Sequence, residues 1–155
     1  MQLSPSFSLA ELSRSEAAAR RGLDNTPPPE VIENLRALCI QVLQPLRNGL
    51  GRPLRVNSGY RGPAANRAVG GKASSQHTKG EAADIECAGV DTRRLAQTIV
   101  DLSLPFDQLI LEFHVVGEPR SGWVHVSHKR NGPQRGEVLR AVRLPAGVSY
   151  LPGLP

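Results

Sequence analysis

Cysteine is scarce in this chain: of 155 residues only Cys39 and Cys87 carry a thiol. They form no Cys-x-x-Cys pair and are too few for a disulfide framework. Cys39 falls on the apolar side of a helical pattern, so a buried, inert thiol is expected. Nothing near either cysteine in sequence would depress its pKa, which excludes both as nucleophiles. Aromatic residues make up only 4% of the chain and no dense Lys/Arg run occurs. That removes the stacking platform a single-strand binder needs, so no nucleic-acid partner is expected. Long apolar runs are missing too. No stretch approaches the length needed to span a bilayer, and Met1–Phe7 lacks the basic start and apolar run of a signal peptide. A cytoplasmic, soluble product without membrane insertion is expected, with no internal repeat and a monomer favoured.

What remains is ordinary for one globular domain: 39% apolar and 21% charged residues. The net charge of +5 comes mostly from arginine, and the pI is about 9.9. Such a surface suits nucleic acid, an anionic membrane or an anionic cell-wall polymer.

Along the chain, Ser8 and Glu11 have capping-box spacing ahead of two short helical turns, through Leu12 and from Ser15 to Arg21, that end at Gly22. A stiff, proline-rich connector, Leu23–Pro29, precedes the main helix, expected from about Pro29 to Asn48. Val31, Ile32, Leu35, Leu38, Cys39, Val42, Leu43 and Leu46 form its apolar stripe, and Pro45 should kink or weaken its last turn. Leu54–Ser58 reads as a strand, Pro63–Val69 as a short helix, Ala82–Cys87 as a strand, and Thr92–Leu102 as a helix capped by Asp91 with Leu95, Ile99 and Leu102 inward. Phe106–Phe113 and Trp123–Ser127 read as strands separated by a turn at Glu118–Gly122. Val138–Val142 is expected to add an edge strand, and the Pro- and Gly-rich tail 145–155 to be loosely ordered.

The chain is organised around Ser75-Gln76-His77-Thr78-Lys79-Gly80-Glu81-Ala82-Ala83-Asp84. Seven positions separate His77 from Asp84, too many for neighbours on one helical turn. The spacing suits a His ending one segment, a turn at Gly80 and an Asp on the returning strand. An Asp at the centre of a strand is tolerated in a core only when paired or metal-bound. Imidazole and carboxylate are both zinc ligands, and a hydrolytic site needs three protein ligands and one open position. His125, in the alternating segment Gly122–Ser127, is the third candidate. Taken singly, each of these residues could equally be a hydrogen-bonded structural group.

The pattern Ser-x-His-x-x-Gly-x-Ala-x-Asp, followed by Trp-x-His, resembles the zinc D-Ala-D-Ala carboxypeptidase family. That family includes phage murein endopeptidases and shares its metal-site fold with the hedgehog signalling domain. The resemblance runs from about Phe7 to Ser127. It implies that His77, Asp84 and His125 hold Zn2+, in a single zinc peptidase domain over residues 1–144. The implied fold is α+β, a small antiparallel sheet bearing the zinc site with helices packed on its other face.

Two catalytic positions follow from the same resemblance. Ser58-Gly59-Tyr60-Arg61 is similar to the family segment whose Arg lines the substrate groove, and an Arg fork suits a carboxylate or developing oxyanion. The alternative for Arg61 is a plain surface Arg. Many relatives carry a Glu three residues before the last His ligand, where this chain has Gly122. Glu112 is the expected general base, because Phe-Asp-x-Leu-Ile-x-Glu resembles the hedgehog-type arrangement. A salt-bridged Glu112 is its alternative, and Glu118 a weaker base candidate. Ser75 and Thr78 are expected to fix either the backbone or a hydrogen bond to a ligand. His114 is a remote candidate for a transition-state donor, and His128, beside Lys129 and Arg130, is expected to be exposed. The implied function is a zinc metallopeptidase hydrolysing peptidoglycan stem peptides, as a D,D-carboxypeptidase or endopeptidase, from a phage or prophage and reaching the wall at lysis or in a virion. The rivals are a cell-wall binding module with a purely structural zinc and, on charge alone, a nucleic-acid binder.

Overall fold

Alternation of apolar and polar residues in the second half of the chain builds the sheet that carries the site. The computed structural model describes all residues, 1–155. Strands β1 (Gln2–Ser4) and β2 (Phe7–Ser8) form a small antiparallel pair. They lead into α1 (Leu9–Ser13) and α2 (Glu16–Arg20). The expected Ser8/Glu11 capping box is present at α1.

The long amphipathic segment runs as α3 (Pro29–Leu38), a π-helical turn over Cys39–Leu43, and α4 (Gln44–Leu50). The sequence predicts a kink at Pro45, and the π turn is how the helix continues past it. Pro45 has no N–H to give Gln41, and its ring crowds that carbonyl. Widening the turn lets the Gln44 N–H reach back to Cys39 O and gives the ring room. Leu35, Leu38, Cys39, Val42, Leu43 and Leu46 are all fully buried. At roughly 1.5–3 kcal/mol for each buried aliphatic side chain, this stripe is a main source of stability. Burial pushes the Cys39 thiol up to about 12, as expected for an inert cysteine.

The larger sheet has six strands in the order β3-β4-β6-β5-β7-β8. They are β3 (Arg55–Ser58), β4 (Ala82–Glu86), β5 (Gln108–Glu112), β6 (Trp123–Ser127), β7 (Glu137–Leu144) and β8 (Gly147–Pro152). Helix α5 (Pro63–Ala68) follows β3, and α6 (Thr92–Asp101), capped by Asp91, joins β4 to β5. The fold is α+β, but the main sheet is mixed and not wholly antiparallel, because β7 lies parallel to β5. The chain leaves β6 at the end of the sheet where β5 begins. It crosses that end through residues 128–136 and then runs up the free side of β5.

Two expectations near the C-terminus are corrected. The 138–142 strand is longer than expected, and it is internal rather than an edge. Residues 147–152 are an ordered edge strand, not a loose tail. The two residues between Leu144 and Gly147 close a local hairpin, and register runs from Leu144↔Gly147 to Leu139↔Pro152. Arg140 Nη1 donates to Pro152 O at 2.7 Å, and Arg93 Nε to Pro155 O at 2.7 Å, so the chain end is tied down. Proline fits an edge strand because its missing N–H is needed by no neighbour. Leu102, expected inward, is 41% exposed and lies against Gly49.

Side chains on one face of the sheet, Ala83, Ile85, Leu109, Leu111, Val124 and Val126, enter the core with Leu95, Ala96 and Ile99 of α6. Strand period 2 sends Asp84, His125, Ile110 and Glu112 to the other face. No helix is long and apolar enough to cross a membrane.

Candidate metal centre

The register of three strands assembles the centre. Asp84 lies directly opposite His125, which in turn is opposite Ile110, with Glu112 and Trp123 paired one step along the same face. His77 arrives from a 3-10 turn, Gln76–Lys79, that ends at Gly80 with φ +71. A side chain at Gly80 would also meet Val31, so only glycine turns the chain here and starts β4 on time. Ser75 Oγ accepts from the His77 N–H at 3.2 Å, and Thr78 Oγ1 donates to Ser75 O at 2.6 Å. Of the two roles open to Ser75 and Thr78, these bonds place them in the backbone of the turn.

His77, Asp84 and His125 come together with one donor atom from each, all within 4.8 Å of one another. His77 Nε2 is 3.3 Å and His125 Nδ1 3.2 Å from Asp84 Oδ1. The far nitrogen of each ring has its own acceptor: His77 Nδ1 is 2.8 Å from Gly59 O, and His125 Nε2 is 3.2 Å from Gln76 Oε1. Hydrogen-bonding the outer nitrogen frees the inner one to coordinate, the usual arrangement around a metal-binding imidazole. Both histidines are buried. Burial would raise the Asp84 carboxyl's pKa, but the imidazoles of His125 and His77 beside it outweigh that and hold the group well below the usual range. Two imidazoles and an ionised carboxylate converging in this way fit a zinc ion.

The cluster opens onto a cavity of about 940 Å³, also lined by Arg61, Glu112, Trp123, Gln108 and Tyr150. The Arg61 N–H donates to His77 O at 3.0 Å, so the Ser-Gly-Tyr-Arg segment buttresses the His77 turn. Its guanidinium donates through Nε to Asn66 Oδ1 at 3.3 Å and through Nη1 to Ser58 Oγ at 3.2 Å. It is therefore held at the cavity wall, rather than being a loose surface Arg. Burial lowers the Arg61 pKa, and the Asp84 charge offsets part of that.

Glu112 ends β5 because Phe113 takes the left-handed conformation at φ +55. None of the protein's ion pairs involves Glu112, so the salt-bridged alternative does not hold. Burial raises its carboxyl pKa, His125 opposes this and Asp84 adds to it. Glu118 is exposed on its turn and outside the cavity lining. Gly122, the departure from the family pattern, has a physical cause. Its φ is +69, and a Cβ there would run into the carbonyl oxygen of Glu112 and come within 2.8 Å of the His114 backbone nitrogen. No Glu can stand there without moving the end of β5.

The remaining histidines lie elsewhere. His114 Nδ1 contacts Ser121 O at 3.1 Å and Nε2 faces Asp91 at 3.9 Å, outside the cavity lining. His128, expected to be exposed, is buried with Nδ1 2.6 Å from Pro105 O. Its charged neighbours belong to the loop that continues outward, while its own ring turns in.

Sequence reasoning missed Gln76, Tyr150, Lys129 and Arg135 as cavity residues. Gln76 had the one available signal, adjacency to His77. Tyr150 reaches the cavity through Ala141, which pairs with both Tyr150 and Glu112, and no local pattern announces a parallel neighbour.

The family model for Peptidase M15 matches residues 5–127, most of the chain and all three proposed ligands. No curated protein matches the chain. On the strength of that match the chain belongs to the peptidase M15 family, a family of metallopeptidases.

Proposed function

We propose that the chain is a zinc peptidase that hydrolyses peptide bonds in peptidoglycan stem peptides, as a D,D-carboxypeptidase or an endopeptidase of phage type. One observation carries the reading. The three converging donors of His77, Asp84 and His125 share a single cavity wall with an unpaired Glu112 and a tethered Arg61. Zinc, when bound, supplies Lewis acidity that polarises a carbonyl and acidifies water. His77, Asp84 and His125 hold it. Glu112 accepts the proton of the attacking water and returns it to the leaving amine, a duty that a carboxylate raised by burial performs well near neutral pH. The N–H groups of Arg61 not used on Asn66 and Ser58 bind a carboxylate or carbonyl oxygen of the substrate. Lysines 72, 79 and 129 border the same cavity and suit a substrate rich in carboxylates. The basic pI favours approach to a polyanionic wall.

The test incubates zinc-loaded protein with purified murein, with and without chelator, and identifies released products by mass spectrometry. Release of D-alanine indicates the carboxypeptidase, and larger peptide fragments the endopeptidase. Chelator and His125→Ala are expected to abolish both. Zinc retained without any release would leave a wall-binding module with a structural metal.

A further inference from the structure

The outer nitrogen of His77 rests on a backbone carbonyl, whereas that of His125 rests on a side chain, and that side chain is itself held. Gln76 Nε2 donates to Asp107 Oδ2 at 3.0 Å, while its Oε1 faces His125 Nε2 at 3.2 Å. Asp107 begins the segment leading into β5 and is completely buried. Arg135 grips it with Nη2 at 2.8 Å from Oδ2, with Nε at 3.2 Å from both oxygens and with its backbone N–H at 2.9 Å from Oδ1. Lys129 Nζ stands 3.6 Å away.

We propose that Gln76, oriented by the Asp107–Arg135 pair, is a positioning residue that fixes which nitrogen of His125 faces the metal. The proposal rests on the reading of His77, Asp84 and His125 as zinc ligands. Its logic is donor counting. A carboxylate between Arg135 and Lys129 is ionised and accepts only, so the Gln76 atom facing it must be the NH2 group. The Gln76 oxygen is then turned to His125 and can only accept. His125 Nε2 must therefore carry the hydrogen, leaving the lone pair on Nδ1, the nitrogen beside Asp84. A free glutamine could flip its amide and present NH2 to His125, which would favour the opposite tautomer. Asp107 removes that choice. Arg135 lies in the crossover between β6 and β7, beyond the matched residues 5–127.

The Asp107 side chain also anchors the crossover, since its Oδ1 accepts the Arg135 backbone N–H at 2.9 Å, so the substitution is made at Gln76. Zinc affinity of wild type and Gln76→Leu is measured by competition with a chromophoric chelator, alongside the melting temperature of each metal-free protein. The variant is expected to bind zinc about 10–100-fold more weakly with an unchanged melting temperature. Binding within twofold of wild type overturns the proposal. A second measurement does not depend on the variant folding. Ring 15N NMR of zinc-loaded wild type is expected to show the metal on Nδ1 of His125 and a slowly exchanging hydrogen on Nε2. Metal on Nε2, or rapid exchange of that hydrogen, overturns the proposal while leaving the ligand set intact. Wild-type protein that binds no zinc overturns the ligand set and the proposal together.

Discussion

Gly122→Ala adds one methyl group where the chain departs from the common family pattern, and the structure says what it costs. The first cost is conformational. Gly122 sits at φ +69, a region that disfavours a side chain by about 1–2 kcal/mol. The second is steric. The new Cβ would collide with the Glu112 carbonyl oxygen and crowd the Phe113 carbonyl carbon and the His114 nitrogen at 2.9 and 2.8 Å. These are backbone atoms at the end of a paired strand, so they cannot swing aside as a long side chain would. Overpacking of this kind costs about 1–3 kcal/mol. The sum, about 2–5 kcal/mol, is a large part of a typical domain's 5–15 kcal/mol but does not by itself abolish folding. At this chain length it corresponds to a fall in melting temperature of roughly 5–20 °C. Urea unfolding followed by far-ultraviolet circular dichroism is the suitable assay, because the single Trp123 adjoins the substitution and its fluorescence would report locally. The midpoint is expected to drop with the slope unchanged. Since the displaced carbonyl belongs to Glu112, peptidase activity per folded molecule should fall as well. A loss below about 0.5 kcal/mol with unaltered activity would refute the argument that glycine is required there.

Three further outcomes are expected. Glu112→Gln should keep zinc and fold while losing at least roughly a hundredfold in rate, with Glu118→Gln near wild type; the reverse pattern in a murein-release assay would make Glu118 the base. Arg61→Lys keeps the charge but loses the planar fork, so turnover should fall about tenfold or more with zinc content unchanged, and equal turnover would remove Arg61 from the site. Asp107 governs part of the acid stability. Burial would raise its pKa, but the hydrogen bonds from Arg135 prevail and hold it at about 2 in place of 3.8. A depressed carboxyl stabilises the fold above its unfolded pKa, and that contribution is lost as pH falls from about 4 towards 2. Allowing for the half-exposed Arg135, it amounts to about 1–2 kcal/mol. In urea titrations between pH 5 and 2, wild type should therefore lose that much more stability than Asp107→Asn, and parallel curves would contradict it.

Much of this protein is local, and local features were legible. The Ser8/Glu11 box, the Asp91 cap, the turn at Gly80 and the β6 segment Trp123–Ser127 each depend on residues within a few positions of one another. The metal candidates were readable for a related reason. Strand alternation puts Asp84 and His125 each on one face, and a charged residue within an apolar strand needs a partner. Tertiary structure decided what depends on contacts distant in sequence. Whether β7 pairs with β5, and in which direction, depends on the free edge left by the β5–β6 hairpin. The tail read as loose because its glycines and prolines are locally unstructured, yet pairing with β7 supplies its hydrogen bonds and carries Tyr150 to the cavity. Gly122 appears in sequence as a missing base. Only the packed chain shows that the carbonyl of Glu112 fills the space a side chain would need. The Gln76–Asp107–Arg135 linkage spans three separate segments, so folding alone brings its donors and acceptors within reach.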